Sequence, residues 1–245
     1  MAKAKVAVYG EGPTDYGKKV FGKEEWESGP IICLIYKCAE KAGVDIEIEC
    51  VEKRFIDGKE RVKLGVRQLR GLKGKAIPAR YFKIYALQQG YRLGIFYCDT
   101  DKMMSGSNTN ENVCRKEFER IYDEVEQGLD YEPCFWLGLP MVALKMIESW
   151  LLADEGAYIR CFGNMPVKPS LPIRPELIWG EKDNRNSNYP KNYMRRVLEQ
   201  YHEISSRETF YRIAEEMDID VLCEKCEISF GQFWKDFYAS SNSFC

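Results

Sequence analysis

The feature that most constrains the fold of this chain is the stretch 93–101 (LGIFYCDTD), where an uncharged run ends on two carboxylates, Asp99 and Asp101. A short uncharged run is typical of a strand buried on both faces, as in a parallel sheet covered by helices. The chemistry of such sheets lies at the carboxyl ends of the strands. Two acids at i and i+2 of an extended chain lean to the same side, so they repel each other unless a cation or a proton lies between them. A divalent metal is the simplest partner for this pair.

The patterns before this stretch predict how the sheet is built. Apolar and alternating residues indicate strands at 5–9 and 44–51 in addition to 93–98, with helices between them at 30–43 and 78–89. This β-α-β-α-β order implies parallel strands joined by right-handed crossovers. We therefore expect an α/β fold with a mainly parallel sheet flanked by helices. Glu11 follows the first strand directly and should lie at its carboxyl end.

The next part of the chain adds a fourth acidic candidate. The stretch 102–112 is rich in Ser, Gly and Asn and is predicted to form a loop beside the site, followed by an amphipathic helix at 112–127 and a strand at 134–139. The pattern MVALKMIESWLLAD predicts a helix at 141–154 with Glu148 in the middle of its apolar stripe. An unpaired charge there costs several kcal/mol, so Glu148 needs a metal, a basic side chain or a proton.

The last third of the chain changes character. Four prolines at 166, 169, 172 and 175 indicate an extended connector, and a polar loop at 180–191 precedes several short helical patterns. We expect two units. The first is an α/β core over residues 1–155, and the second is a helical extension over 156–245 that packs on the core.

Composition excludes several classes of protein. With 245 residues and 45% hydrophobic content, the chain can bury a sizeable core. No signal peptide and no run of membrane-spanning length is evident, so we expect a cytoplasmic protein without a membrane partner. Most of the ten cysteines lie in apolar runs and are predicted to be reduced core residues. Cys223 and Cys226 form a CxxC without a second pair, which favours one face of a short helix over a zinc site.

A basic segment stands out against the net charge of -2. Residues 53–83 hold eleven Lys or Arg and only two acids. Such a segment suits the phosphate backbone of nucleic acid, although it can also serve solubility or dock an acidic partner. The candidate contacts to nucleic acid are Lys63, Arg67, Arg70, Lys73 and Lys75, together with Lys191 from the later polar loop.

Acids from distant segments are predicted to converge on one site. The candidate catalytic residues are Glu11, Asp99, Asp101 and Glu148, and the first three are the candidate metal ligands. Oxygen ligands suit Mg²⁺ or Mn²⁺, which keep water and substrate phosphate in their remaining positions. The implied chemistry is at a phosphate, with the metal polarising phosphoryl oxygens and generating hydroxide. Glu11 could be a ligand or the general base.

The motifs EGPTD, IFYCDTD, MIESWLLAD and YPKNYMRRVL together resemble small TOPRIM-like proteins of unassigned function related to the RloB and OLD nuclease groups. The resemblance implies a compact parallel sheet whose Glu11, Asp99 and Asp101 bind Mg²⁺ for strand cleavage or transfer. It also implies an ATPase partner of the ABC or SMC kind and a role in phage defence. Two departures are Asp15 where an EGxTE pattern ends in Glu, and the basic segment, which has no clear counterpart.

These observations favour a divalent-metal-dependent nuclease. One alternative is a non-catalytic subunit that keeps the TOPRIM frame and binds an ATPase or nucleic acid. Another is a DxD phosphatase with Asp99 as nucleophile, although that motif usually has Thr or Val where Met103 stands and would leave Glu11 without a role. The sequence does not indicate the type of nucleic acid or the oligomeric state.

Overall fold

The computed structural model describes residues 3–23, 25–100, 109–130 and 135–244. The strands are β1 (Ala4–Gly10), β2 (Gly17–Lys19), β3 (Trp26–Ser28), β4 (Ile46–Cys50), β5 (Leu93–Asp99) and β6 (Leu137–Ala143). The helices are α1 (Pro30–Ala42), α2 (Lys53–Ile56), α3 (Val66–Leu69), α4 (Ala76–Gln88), α5 (Glu111–Leu129), α6 (Ile147–Leu151), α7 (Glu155–Phe162), α8 (Pro190–Glu199), α9 (Arg207–Glu216), α10 (Ile219–Lys225) and α11 (Phe230–Ser240).

The main sheet has four parallel strands in the order β4-β1-β5-β6. This confirms the predicted α/β fold with a parallel sheet flanked by helices. The small antiparallel ribbon of β2 and β3 lies between β1 and α1 in the chain. Because β1 and β5 are the two inner strands, the residues that follow them lie at the centre of the carboxyl edge of the sheet.

Both faces of the inner strands are covered, as the uncharged run predicted. Ile95 and Tyr97 of β5 belong to one hydrophobic cluster, which α1 and the C-terminal helices complete. Phe96 and Cys98 belong to a second cluster on the other face, beneath α4 and α5. The predicted end of α1 is also confirmed, since Gly43 adopts a left-handed conformation with φ 70° as its C-cap.

The prediction for residues 134–154 was wrong in its boundaries. Strand β6 continues through Pro140 to Ala143, and the only helix that follows in this stretch is α6, five residues long. Proline lacks a backbone N–H, but β6 is an edge strand, where that loss is tolerated. A short apolar run fits a buried strand as well as a buried helix, so periodicity alone could not decide between them. Cys134, the predicted start of the strand, lies outside the described residues.

The C-terminal region is helical and shares the core of the sheet. Helix α9 contacts α1 and α7, and α11 contacts β6. Side chains of both helices, including Phe210, Phe233 and Phe237, belong to the same hydrophobic cluster as Ile95. The division at residue 155 stays a prediction.

The cysteines behave as small apolar residues in the described part of the chain. Cys38, Cys98 and Cys226 are fully buried, and all described cysteines are free thiols. Cys223 lies in α10, and Cys226 follows directly as its C-cap residue. Within the described ranges, none of the helices combines the length and the hydropathy that crossing a bilayer requires.

Candidate functional site

A cleft of about 540 Å³ lies at the carboxyl edge of the sheet. It forms where β1 and β5 end, since Glu11 follows β1 and Asp99 is the last residue of β5. The structure thereby brings three of the predicted acids, Glu11, Asp99 and Glu148, to one place. The remaining lining residues are Gly12, Pro13, Thr14, Asp15, Lys191, Asn192, Arg195, Ser205 and Phe210.

The turn after β1 carries Asp15 back over the end of the strand. Gly12 has φ 82°, which glycine adopts without the steric cost that a side chain brings, and the Tyr16 amide donates to the Gly12 carbonyl at 3.0 Å. The Tyr16 ring lies so close to Gly10 that an added Cβ would stand 2.7 Å from it. The Tyr16 hydroxyl donates to the carbonyl of Val8. The turn is therefore fixed against the strand, with Asp15 directed into the cleft.

Asp15 belongs to a cluster of like charges. Burial raises the pKa of its carboxyl well above the ordinary value, and the negative charges of Glu148 and Asp99 raise it further, whereas Lys191 opposes the shift. The Tyr97 hydroxyl donates to Asp15 Oδ2 at 3.4 Å. Three carboxylates close enough to perturb one another favour a shared proton or a bound cation. Asp15 was not among the predicted site residues, although the EGPTD pattern contained the signal.

Glu148 reaches the cleft by a different route from the one predicted. It is the second residue of α6, and its side chain is buried because the short connection after β6 places this turn against the sheet edge. Lys145 in that connection has φ 72° and donates its backbone N–H to Thr100 Oγ1 at 2.7 Å. Thr100, directly after β5, thus holds Lys145, two residues after β6, which fixes the approach of Glu148 to Asp99.

Glu11 is paired with a lysine of the basic segment. The ammonium of Lys75 lies 2.7 Å from both carboxylate oxygens of Glu11. Burial lowers the pKa of Lys75, but Cys98, Glu11 and Asp99 raise it by more, so it lies above its ordinary value. Lys75 is therefore a charged partner of Glu11, and its contact with nucleic acid stays a prediction.

The position of Lys75 is set by helix α5. The backbone N–H of Lys75 donates to Glu124 Oε2 at 2.9 Å, and Arg120 Nη1 donates to Glu124 Oε1 at 2.7 Å. Gly74 has φ 53°, and a Cβ there would stand 2.0 Å from Glu124 Oε2. The chain at Gly74 and Lys75 therefore fits only with a glycine in front of the lysine.

The rest of the basic segment divides into exposed and structural residues. Arg80 is buried and donates to the carbonyls of Gln127, Gly128 and Asp130, and Lys83 donates to Leu129. These two side chains hold the end of α5, where backbone carbonyls lack helical partners. The side chains of Lys63, Arg67, Arg70 and Lys73 are exposed and do not line the cleft. Their contact with nucleic acid stays a prediction.

A second basic element lies at the start of α8. Lys191, Asn192 and Arg195 line the cleft. The Asn192 amide donates to the carbonyls of Lys182 and Asn184, each at 2.9 Å, and so holds the preceding polar loop in place. Lys191 was predicted as a contact to nucleic acid, whereas Asn192 was not predicted. Residue spacing carried no signal for Asn192, because its place depends on how α8 packs.

The cleft provides the donor type that Mg²⁺ prefers, namely carboxylate oxygens. In the part of the chain that the structure describes, however, no group of three or more Cys, His, Asp or Glu side chains could hold a metal ion. Glu11 has both oxygens on Lys75. Asp101, the third predicted ligand, lies outside the described residues. The described side chains therefore match a magnesium site in chemistry without completing a set of ligands.

Comparisons of the chain with protein-family models, with curated proteins and with solved structures found no match.

Proposed function

We propose that this protein is a divalent-metal-dependent nuclease that acts on the phosphodiester bonds of nucleic acid. One observation carries the proposal. Glu11, Asp15, Asp99 and Glu148 meet in one cleft at the carboxyl edge of a parallel sheet, and Lys191 and Arg195 line the same cleft. Carboxylates that repel one another, set among cations, suit a metal and a phosphate together.

The residues divide into four roles. Glu11 and Asp99, with Asp101, would hold Mg²⁺ or Mn²⁺, which supplies polarised phosphoryl oxygens and a nucleophilic hydroxide when bound. Lys191 and Arg195 are suited to neutralise the charge that develops on the phosphate. Asp15, with its raised pKa, is suited to carry a proton to the leaving oxygen. Glu148 supports the site by its charge beside Asp15.

Further parts of the proposal are supported by the sequence resemblance. A TOPRIM-like relationship would place the protein with an ATPase partner of the ABC or SMC kind, in phage defence and in the cytoplasm. The exposed Lys63, Arg67, Arg70 and Lys73 would supply contacts to the substrate backbone outside the cleft.

A second candidate is a non-catalytic subunit that uses the same frame to bind nucleic acid or an ATPase. The observation that favours it is the Glu11–Lys75 pair, which neutralises Glu11 without a metal.

Cleavage assays separate the candidates. Plasmid, single-stranded DNA and RNA are incubated with purified protein in Mg²⁺, Mn²⁺ or EDTA, using wild type, Glu11→Ala, Asp99→Ala and the exposed control Glu224→Ala. The nuclease predicts metal-dependent cutting that falls on the order of 10³-fold in both site variants and persists in the control. Binding without cutting under any metal indicates the subunit. Hydrolysis of a small phosphate ester that needs Asp99 but not Glu11 indicates the phosphatase.

A further inference from the structure

The ion pair between Lys75 and Glu11 joins segments that lie far apart in the sequence. Lys75 Nζ is 2.7 Å from Glu11 Oε2, and the two side chains are only 14% and 23% exposed. It is equally close to Oε1, so both oxygens are engaged by one ammonium. A second cation at Glu11 must therefore share this carboxylate with Lys75 or displace the ammonium.

Lys75 is held in place for this contact. The Glu124 carboxylate accepts from its backbone N–H, and Gly74 supplies the positive φ that the approach requires. Glu124 is itself nearly buried and bound by Arg120. The backbone of Lys75 is anchored and its side chain is only 14% exposed, so the ammonium has less freedom to move away from Glu11 than that of an exposed lysine.

We propose that Lys75 is a resident counter-ion that competes with the divalent metal for Glu11 and, once displaced, remains at the cleft to bind a phosphate oxygen of the substrate. The inference rests on the metal site of the proposed function. In the metal-free protein, the ammonium offsets the repulsion between Glu11 and the nearby Asp99. When the metal takes over Glu11, that positive charge is available to an anionic ligand. Metal binding and phosphate binding are thereby coupled through one side chain.

The competition predicts a gain in metal affinity that depends on Glu11. Removing a positive charge near a metal site ordinarily raises the affinity for the metal through weaker repulsion alone. Removing Lys75 also leaves both oxygens of Glu11 open to the metal. Lys75→Met should therefore bind Mn²⁺ about fivefold more tightly than wild type, the equivalent of losing a modest, half-buried ion pair. Lys75→Arg keeps the charge and should stay near the wild-type affinity.

The test measures Mn²⁺ binding to the full chain by electron paramagnetic resonance, without nucleic acid. The exposed Lys59→Met serves as the charge-matched control and should not change the affinity by more than a small factor. The double variant Glu11→Gln with Lys75→Met provides a second check, because the gain should vanish when Glu11 no longer carries charge. Thermal unfolding adds a readout that is independent of activity, since Mn²⁺ should raise the Tm of Lys75→Met more than that of wild type.

The outcomes are distinct. Equal or weaker Mn²⁺ binding by a folded Lys75→Met variant overturns the counter-ion proposal, and so does the absence of binding in both proteins. A gain that survives in the Glu11→Gln background overturns it as well. Tighter binding in Lys75→Met, with no cleavage by wild type on any substrate, supports the counter-ion and rejects the nuclease.

Discussion

Two groups of buried charge in this protein are built in opposite ways. In the first, which we call the Glu176 network, the carboxylate of Glu176 accepts from the backbone N–H groups of Ile228 and Ser229, each at 3.0 Å, and from the Ser229 hydroxyl. Trp150 Nε1 in turn donates to Ser229 Oγ at 2.7 Å. The acid thus lies among donors and joins the start of α11 to α6 and to the 3-10 turn at Pro175–Leu177.

The cleft shows the reverse arrangement. There burial and the negative charges of Glu148 and Asp99 raise the pKa of the Asp15 carboxyl. Folding alone would not select such a cluster, because like charges destabilise the folded state. The difference indicates that the Glu176 network serves stability, whereas the cleft has the perturbed charges that are typical of functional sites.

The sharpest test of this comparison removes the acid of the network. Glu176→Ala leaves three buried donors without their acceptor, and we expect the free energy of unfolding to fall by about 4 kcal/mol. Urea titration monitored by tryptophan fluorescence measures the change. The control is Glu224→Ala, an exposed acid of α10, with an expected change within about 0.5 kcal/mol. A loss of less than about 1 kcal/mol for Glu176→Ala would contradict the structural role.

The pH dependence of stability provides the next largest effect. Burial raises the pKa of Glu176 from 4.5 to about 7, although the donors at Ser229 and Ile228 counteract the shift. Between these values the folded protein binds more protons than the unfolded chain. The contribution of Glu176 to stability is therefore full below the unfolded pKa and is lost as the pH rises through about 7.

We accordingly expect wild type to lose about 3 kcal/mol more than Glu176→Gln between pH 4.5 and pH 8. The measurement is a series of urea titrations across this range. Asp15 contributes with the same sign in both proteins, so only the difference between the two curves tests Glu176. Parallel curves would show that Glu176 is not the titrating group.

Two arginines of the basic segment, Arg80 and Arg70, extend the comparison from acids to cations. Arg80 is buried and its guanidinium is surrounded by carbonyls at the end of α5, so Arg80→Ala should lower the free energy of unfolding by about 2 kcal/mol. Nucleic-acid affinity, measured by fluorescence anisotropy on the folded variant, should stay unchanged.

The exposed Arg70 provides the contrast. Arg70→Ala should leave stability unchanged and reduce the salt dependence of binding by about one unit of slope. The same loss of affinity in both variants would undo the distinction.

The smallest effect has the opposite sign. The pKa of Asp15 is raised in the folded state, so its ionisation at pH 8 opposes folding. Asp15→Asn keeps an acceptor for Tyr97 and removes the charge, and we expect a gain of about 1 kcal/mol in the free energy of unfolding together with weaker cleavage. Asp154→Asn is the matched control. Asp154 accepts from Gly156, Asp218 and Arg160, so that variant should lose stability. A loss for Asp15→Asn would place Asp15 with the structural acids.

Several elements of the fold followed directly from local patterns. The strand ending at Asp99, the helix between Pro30 and Gly43 and the half-buried alternation of β4 all have short-range causes, namely an uncharged run, a pair of helix caps and a period of two. The prediction at residues 134–154 failed because that apolar run fits two kinds of buried element. Only its pairing with β5 at an edge of the sheet made Pro140 acceptable in a strand.

The candidate site was predictable to a similar extent. Glu11 and Asp99 could be assigned to one edge because parallel strands place their carboxyl ends together. Lys75 could not be assigned to Glu11, since 64 positions separate them and Glu124 of a third segment sets their contact. The structural roles of Arg80 and Lys83 were hidden for the same reason. A charge in the sequence does not reveal whether carbonyls or solvent will surround it.

The sequence by itself determined the alternation of strands and helices and the supply of acids at strand ends, because both depend on neighbouring residues and on the direction of the chain. Tertiary structure alone decided which charges meet. It placed Asp15 beside the other acids, paired Lys75 with Glu11, and surrounded Glu176 with hydrogen-bond donors. The physical reason is that electrostatic interactions depend on distance and burial in space, and both are set by packing between segments that are remote in the chain.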